Sequence, residues 1–206
     1  MMKARTEARR LAIVEVAAGV FLDLGYDGTS MTEVSRRLGG SKATLYGYFR
    51  CKEDLFSAVV KMYATSHLYD ALTSLLQSAD DIALHESLVR FGRKMMKVLT
   101  HDSKAINVYR LVLSESGRSD IGKRFHDTGP SQCVEALSDL MSRAMANGEL
   151  TKACPRLRAR QFLSLLTAET GERLFQQEPA PMPMSEVEML VNQAVGMFLG
   201  GAQGGQ

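Results

Sequence analysis

Ser30-Met31-Thr32-Glu33-Val34-Ser35-Arg36-Arg37-Leu38-Gly39-Gly40-Ser41-Lys42-Ala43-Thr44-Leu45-Tyr46-Gly47-Tyr48-Phe49 is the stretch on which the reading of this chain turns. Ser30 and Glu33 form a capping box, in which the serine hydroxyl accepts from the Glu33 amide and the Glu33 carboxylate reaches back to the Ser30 amide. The helix opened there is expected to run to about Leu38, with Val34 and Leu38 facing inward, and Gly39-Gly40 breaks it. Ser41 is a second N-cap and opens a short helix through Tyr46. Two short helices joined by a tight glycine-containing turn make a helix-turn-helix.

Upstream, Glu7 to Leu24 reads as one helix, because Leu11, Val14, Ala18, Phe21 and Leu22 recur with the spacing of one apolar face. Gly25 ends it in the left-handed closing position. Downstream, no proline or glycine interrupts Lys52 to Asp81. Leu55, Val59, Met62, Leu72, Leu75 and Leu76 supply a buried side, so a single helix leading out of the head is expected there. Helical patterns recur over residues 82–99, 105–113, 132–145, from Pro155 towards Phe175, and over 185–199. Asn147-Gly148 closes one of them. Residues 122–130 read as a break, and 177–183, which hold three of the five prolines, as an extended connection. Strand patterns are scarce. The expectation is an all-α protein: a DNA-binding head over residues 1–52, a helical body over 53–200, and a glycine-rich disordered tail over 201–206.

The chain has 206 residues, 45% of them apolar and 23% charged, which is globular composition. No apolar run is long enough for a bilayer, and the charged start lacks the form of a signal peptide. The reading is cytoplasmic, with no membrane partner. The net charge of +2 is unevenly placed. Residues 1–52 carry nine Lys or Arg against five Asp or Glu, and the remainder sixteen against eighteen. A basic head on a mildly acidic body suits attraction to a polyanion. Cys51, Cys133 and Cys154 are odd in number and widely spaced, which fits free thiols rather than a disulfide framework or metal ligands. Cys51 lies close to the head's functional surface and leaves a redox role open. The four histidines have no metal-ligand spacing. There is no glycine-rich phosphate loop and no nucleophile signature, so neither an enzyme nor a cofactor is expected.

The second short helix is the candidate reading element. Ser41, Lys42, Thr44 and Tyr46 crowd polar groups onto six residues, Ala43 and Gly47 permit close approach, and Leu45 and Phe49 face inward. A helix of this size fits the major groove. The plain alternatives are a solvated helix face and a helical protein-interaction module without DNA binding. Neither accounts for the two caps, the double glycine and the basic surroundings together.

The run Ala17-Ala18, Phe21, Gly25-Tyr26, Thr29-Ser30, Glu33-Val34, Leu38 to Phe49, then Lys52-Glu53-Asp54-Leu55, resembles the TetR family of bacterial transcription regulators across about Arg10 to Phe56. The resemblance implies that Thr29 and Ser30 bind backbone phosphate and that Lys42 and Thr44 touch phosphate or base edges. It also implies that Tyr46 and Tyr48 anchor to phosphate and that Lys52 lies near the backbone. The sequence departs from the family pattern at Gly40, Ala43 and Cys51. In the body, Tyr109 to Glu115, Gly122 to Phe125, Gly129-Pro130 and Ala144 to Leu150 are similar to the AefR-like branch. Arg118 and Ser119 stand where that branch has a phenylalanine-proline pair.

The same resemblance implies a homodimer closed by the last two body helices that binds a palindromic operator and acts as a repressor released by a small-molecule effector of unknown identity, the alternative being an activator of the same type. Two apolar faces support the dimer. One holds Phe162, Leu163, Leu165, Leu166 and Leu174, and the other Val187, Leu190, Val191, Val195, Phe198 and Leu199. Of these, Phe162, Leu166, Leu190, Val191, Val195 and Phe198 are the expected interface. The alternative is that both faces complete the core of a single chain. Twelve methionines, including Met62, Met95, Met96, Met141 and Met145, suit either an adaptable cavity or a plain core.

Overall fold

The computed structural model describes residues 6–76 and 82–202, apart from the side chains of 76, 97–99 and 101. Every regular element among them is helical: α1 (Glu7–Gly28), α2 (Met31–Leu38), α3 (Lys42–Tyr48), α4 (Lys52–Val60), α5 (Ser66–Leu76), α6 (Leu84–His101), α7 (Ser103–Glu115), α8 (Ile121–Thr128), α9 (Pro130–Ala146), α10 (Pro155–Thr167) and α11 (Met184–Ala202). A wide π-type turn, Lys61–Thr65, separates α4 from α5, and a 3₁₀ helix, Ala168–Phe175, follows α10. The chain is helical throughout 52–76, as expected, but its hydrogen-bond ladder widens by one residue at 61–65, and residues 77–81 lie outside the described residues. No proline or glycine marks the widening, so spacing alone gave no sign of it.

The described residues form two compact units, one from 6–65 and 107–126, the other from 66–106 and 127–202. The head therefore does not end at residue 52. It includes α4 and the π turn, and it takes in a distant segment whose Val108, Val112 and Ile121 share its core. That core is set by the pattern read from α1: Ile13, Val14, Ala17, Ala18 and Phe21 are buried. Phe21, Tyr26 and Phe56 form an aromatic cluster with ring centroids 4.8 to 5.9 Å apart, Phe56 meeting the other two edge to face and Phe21 lying parallel to Tyr26. Gly25, at φ 71°, turns the chain out of helical geometry near the end of α1, a backbone state that glycine adopts without a Cβ penalty. Residues 122–130, expected as a break, are mostly helical in α8. Gly129 alone separates α8 from α9, with Pro130 at the first position of α9, where its missing N–H costs nothing.

The second unit is built on α6, α10 and α11, with α5 and α9 packed alongside. Gly92 on α6 allows the close approach. A Cβ there would lie 2.8 Å from Val191 Cγ1 and 2.9 Å from Leu166 Cδ2. Phe162 contacts Phe91 and Phe198, with centroids at 6.3 and 5.2 Å. This corrects the expected dimer face. Phe162, Leu166, Val191, Val195 and Phe198 are core residues of a single chain, and Leu190 is half-buried against that core. Helix periodicity finds the more apolar face, and on these helices the more apolar face points at α6. The outward face carries Leu157, Met189 and Met197 instead, the last 69% exposed. The expected tail also begins late. α11 continues through Ala202, which is buried and whose carbonyl accepts from the Thr151 amide at 2.8 Å and hydroxyl at 2.7 Å. Residues 203–206 lie outside the described residues. Among the described residues no helix is long and apolar enough to cross a membrane.

Candidate nucleic-acid interface

Both caps read from the sequence are present. Ser30 Oγ accepts from the Glu33 amide at 3.2 Å, and Ser41 Oγ from the Thr44 amide at 3.1 Å. Gly39 closes α2 in the left-handed region at φ 67°. Ser35, buried on α2, donates from Oγ to the Gly40 carbonyl at 2.9 Å, which ties the turn back to the helix before it. Leu45 is fully buried and pins α3 to the head, while Phe49 closes the same core just beyond the helix. With Leu45 inward, the helical period turns the remainder of α3 outward.

Ser41, Lys42, Ala43 and Thr44 are exposed, and Tyr46 is 50% exposed. Ser41 and Thr44 hydroxyls lie 2.9 Å apart, so the cap also fixes the rotamer of Thr44. Together these residues present a lysine ammonium, hydroxyls, a threonine methyl and a phenol on a surface about two turns long. Hydroxyls and ammonium groups position a helix on phosphates, and short side chains at the groove floor read base edges.

Three of the sequence-predicted site residues are placed differently. Thr29 is 2% exposed, and its hydroxyl donates to the Gly25 carbonyl at 2.7 Å and lies 3.4 Å from that of Val20. It satisfies backbone acceptors left by the α1 ending, and only the neighbouring Ser30 is exposed. Lys52 donates from Nζ to the Tyr26 carbonyl at 2.9 Å. Tyr48 is half-buried, and its hydroxyl accepts from the Thr6 amide at 3.2 Å, which fixes the start of α1.

The basic residues of α2 are also engaged. Glu33 accepts from Arg36 at 2.7 and 2.8 Å and from Arg37 at 3.0 Å, and Arg37 also pairs with Asp23 of α1. The Arg36 and Arg37 hydrogen bonds hold the Glu33 carboxyl down at about 2. Two arginines of α1 were missed in the sequence. Arg9 comes close enough to the turn that a Cβ on Gly40 would meet its Nη2 at 3.4 Å. The Arg10 guanidinium lies 5.2 Å from the centroid of Phe49. Both residues sit in a charged run whose local spacing carries no sign of these tertiary neighbours.

The comparisons with known proteins fit this geometry. Residues 13–59 match the model for bacterial regulatory proteins of the tetR family, and residues 86–201 match the AefR-like transcriptional repressor C-terminal domain. The chain belongs to the TetR family. It is 26% identical over 138 residues to the HTH-type transcriptional activator FasR of Mycolicibacterium smegmatis, a match covering 66% of this chain and 60% of FasR. It is 32% identical over 94 residues to the A-factor receptor protein of Streptomyces griseus, covering 46% of this chain and 31% of that protein. The matches thus span less than two thirds of either relative. A putative TetR-family transcriptional regulator from Mesorhizobium loti has the same fold, with a TM-score of 0.78 at 24% identity over 96% of this chain and 99% of that one.

Proposed function

We propose that this TetR-family chain is a sequence-specific transcriptional repressor that binds a palindromic operator as a homodimer and is released by a small-molecule effector. The observation that carries the DNA-binding part is the outward surface of α3, with Lys42, Thr44 and Tyr46 exposed around a helix fixed by Leu45 and the Ser41 cap. Ser30, Ser41, Lys42 and Tyr46 are the proposed phosphate contacts, and Thr44 the proposed reader. Tyr48 and Lys52 contribute by holding the head in shape.

Repression is favoured over activation because the AefR-like repressor model covers most of the body, whereas the resemblance to the activator FasR is more distant and partial. The effector is supported by family membership and by the likeness to a protein named as a receptor. The homodimer is supported by symmetry, since two identical heads read two half-sites. It is also supported by the outward faces of α10 and α11. From Met189 to Gly201 the exposed positions of α11 are Met, Asn, Gln and Gly, with no charge, which suits a covered surface better than a solvated one.

The test is selection of bound fragments from genomic DNA by the purified full chain. Fluorescence anisotropy on the recovered sequence and a reporter driven by it follow. The expected result is an inverted-repeat site whose reporter rises when the gene for this chain is deleted. Recovery of random fragments with no shared sequence overturns the reading, and a reporter that falls on deletion overturns repression.

A further inference from the structure

The first turn of α1 carries a charge of the wrong sign for its place. Thr6 is the N-cap, its hydroxyl accepting from the Arg9 amide at 3.2 Å. Position 9 is therefore where a capping box holds Glu or Gln, whose side chain reaches back to the N-cap amide. Arginine has no acceptor for that bond, and a cation in the first turn opposes the positive end of the helix dipole. The Thr6 amide is served from α3 instead, by the Tyr48 hydroxyl at 3.2 Å. The neighbouring cation is offset where it stands: Arg10 pairs with Glu7 at 3.6 Å and lies over the Phe49 ring. Arg9 is exposed, and its guanidinium makes no ion pair or hydrogen bond among the described residues. A residue that breaks a local rule with no return to the fold points to function.

Its surroundings supply that function. The contacts of Thr6 with Tyr48 and of Arg10 with Phe49 hold the first turn of α1 against the C-terminal end of α3. Arg9 reaches the other end, where a Cβ on Gly40 would lie 3.4 Å from its Nη2. Gly40 directly precedes the Ser41 cap of α3. The guanidinium thus stands over the turn that leads into the outward surface of α3, in space that the branches of a valine at position 40 would fill. Of the nearby cations, Arg36 and Arg37 are held by Glu33 and Asp23, and Lys52 by the Tyr26 carbonyl. A cation already engaged must give up its partner to meet a phosphate, whereas a free one exchanges only solvent and counterions.

We propose that Arg9 is a second phosphate-holding cation of the DNA-binding surface, reaching over Gly40 to the strand at the edge of the groove that α3 enters. The N-terminal residues of a recognition helix approach the bases most closely, so the turn before them passes the backbone. A guanidinium there offers paired donors that match two phosphate oxygens. This inference rests on the α3 surface proposed above and adds to it a residue from outside the helix-turn-helix.

The test is fluorescence anisotropy with the full chain at several salt concentrations, on the operator recovered from genomic DNA and on a scrambled duplex of equal length. Arg9→Gln should weaken both duplexes alike, roughly three- to tenfold, and lower the slope of log affinity against log salt by about one. Its stability to urea should stay at or above the parental value, because glutamine restores the capping box. Arg9→Lys should keep the parental slope. Gly40→Val should cost as much affinity as Arg9→Gln in the parent and nothing more in an Arg9→Gln chain. An unchanged slope for Arg9→Gln, while Lys42→Ala lowers it, overturns the inference and leaves the α3 surface standing. If neither variant changes the slope, both readings fall. Lower stability of Arg9→Gln, or losses that add when Gly40→Val is combined with it, also overturns the inference, since the arginine then serves the fold or the glycine acts apart from it.

Discussion

Lys52 Nζ donates to the Tyr26 carbonyl at 2.9 Å and lies 4.2 Å from the centroid of the same residue's ring. The lysine thus caps the chain where α1 has turned out of helical geometry at Gly25 and holds the start of α4 against it. Tyr26 is held from its far end as well, its hydroxyl donating to Glu53 at 3.1 Å. Burial, then the nearby Glu53 carboxylate, push the Tyr26 phenol well above its ordinary value, so it stays a donor.

Replacing Lys52 by alanine removes a charge-assisted hydrogen bond and a partly exposed cation–π contact, worth about 2–4 kcal/mol together. Urea unfolding should show that loss. The dependence of DNA affinity on salt should change less than it does for Lys42→Ala. A Lys52→Ala chain of parental stability whose salt slope falls by one would show the lysine serving phosphate after all.

The imidazole of His67 is buried on α5, with Nδ1 lacking a partner among the described residues. Burial pulls it down to about 4, against the pull of Asp70 and Asp102 towards the charged form. The unfolded chain, at about 6.5, therefore binds the proton more readily than the folded one between those two values. Stability should fall as pH drops from about 6.5 to about 4 and level off below. At pH 5 the loss is about 2 kcal/mol relative to pH 7. A His67→Leu chain, compared with the parent by urea unfolding at both pH values, should lack this component. Equal pH dependence in the two chains would place the histidine in a wetter site than described.

Much of the head was legible because its signals are local. Two serine caps and a left-handed glycine each act within four residues and are present where the spacing put them, whereas the Glu33 half of the expected capping box is not formed, because its carboxylate turns to Arg36 and Arg37. The structural partners of Thr29 and Lys52 were not legible, because they are backbone carbonyls exposed only by the way α1 ends. Such carbonyls leave no mark in side-chain spacing. The inclusion of 107–126 in the head is a long-range contact of the same unreadable kind. In the body, periodicity located α10 and α11 but could not say what the apolar side faced, and a glycine on a third helix decided it.

That glycine gives a prediction of its own. Gly92→Ala gains roughly 1 kcal/mol of helix propensity, but its methyl meets Val191 and Leu166 at distances real side chains do not adopt. Overpacking costs about 1–3 kcal/mol, so the net effect should be destabilising by chemical denaturation. Leu166→Glu should unfold the chain by circular dichroism. Met197→Glu, on the outward face, should leave it folded and shift sedimentation to the mass of one chain. A folded, dimeric Met197→Glu protein would move the interface elsewhere.

Cys51 is placed to be inert. The Asp54 amide favours its thiolate, but burial and the Glu53 and Asp54 carboxylates outweigh that, and the thiol lies above its ordinary value. Protonated thiols are poor nucleophiles. Iodoacetamide at neutral pH should modify exposed Cys154 before Cys51, as peptide mass mapping will show. Cys51→Ser should bind DNA as the parent does before and after peroxide treatment. A peroxide response present in the parent and absent in the serine chain would assign Cys51 a sensing role.

The last prediction separates anchoring from reading on α3. Lys42 is exposed in the first turn, where a flexible cation reaches the phosphate backbone while the helix end enters the groove. Thr44 is held one turn in by the Ser41 hydroxyl at 2.9 Å, with a rotamer fixed before DNA arrives. A short, preset side chain with a methyl and a hydroxyl suits a thymine methyl or a base edge. Lys42→Ala should weaken operator and scrambled duplexes alike and lower the slope of log affinity against log salt by about one. Thr44→Ala should leave that slope unchanged and compress the preference among point-changed operators by about 1 kcal/mol. Tyr46→Phe removes only an exposed hydroxyl, so both slope and preference should stay near parental values, with a uniform loss of affinity. Anisotropy titrations at several salt concentrations read all three. A larger loss of preference from Lys42→Ala than from Thr44→Ala would exchange the two roles. If all three variants bind as the parent does, α3 is not the helix that meets DNA.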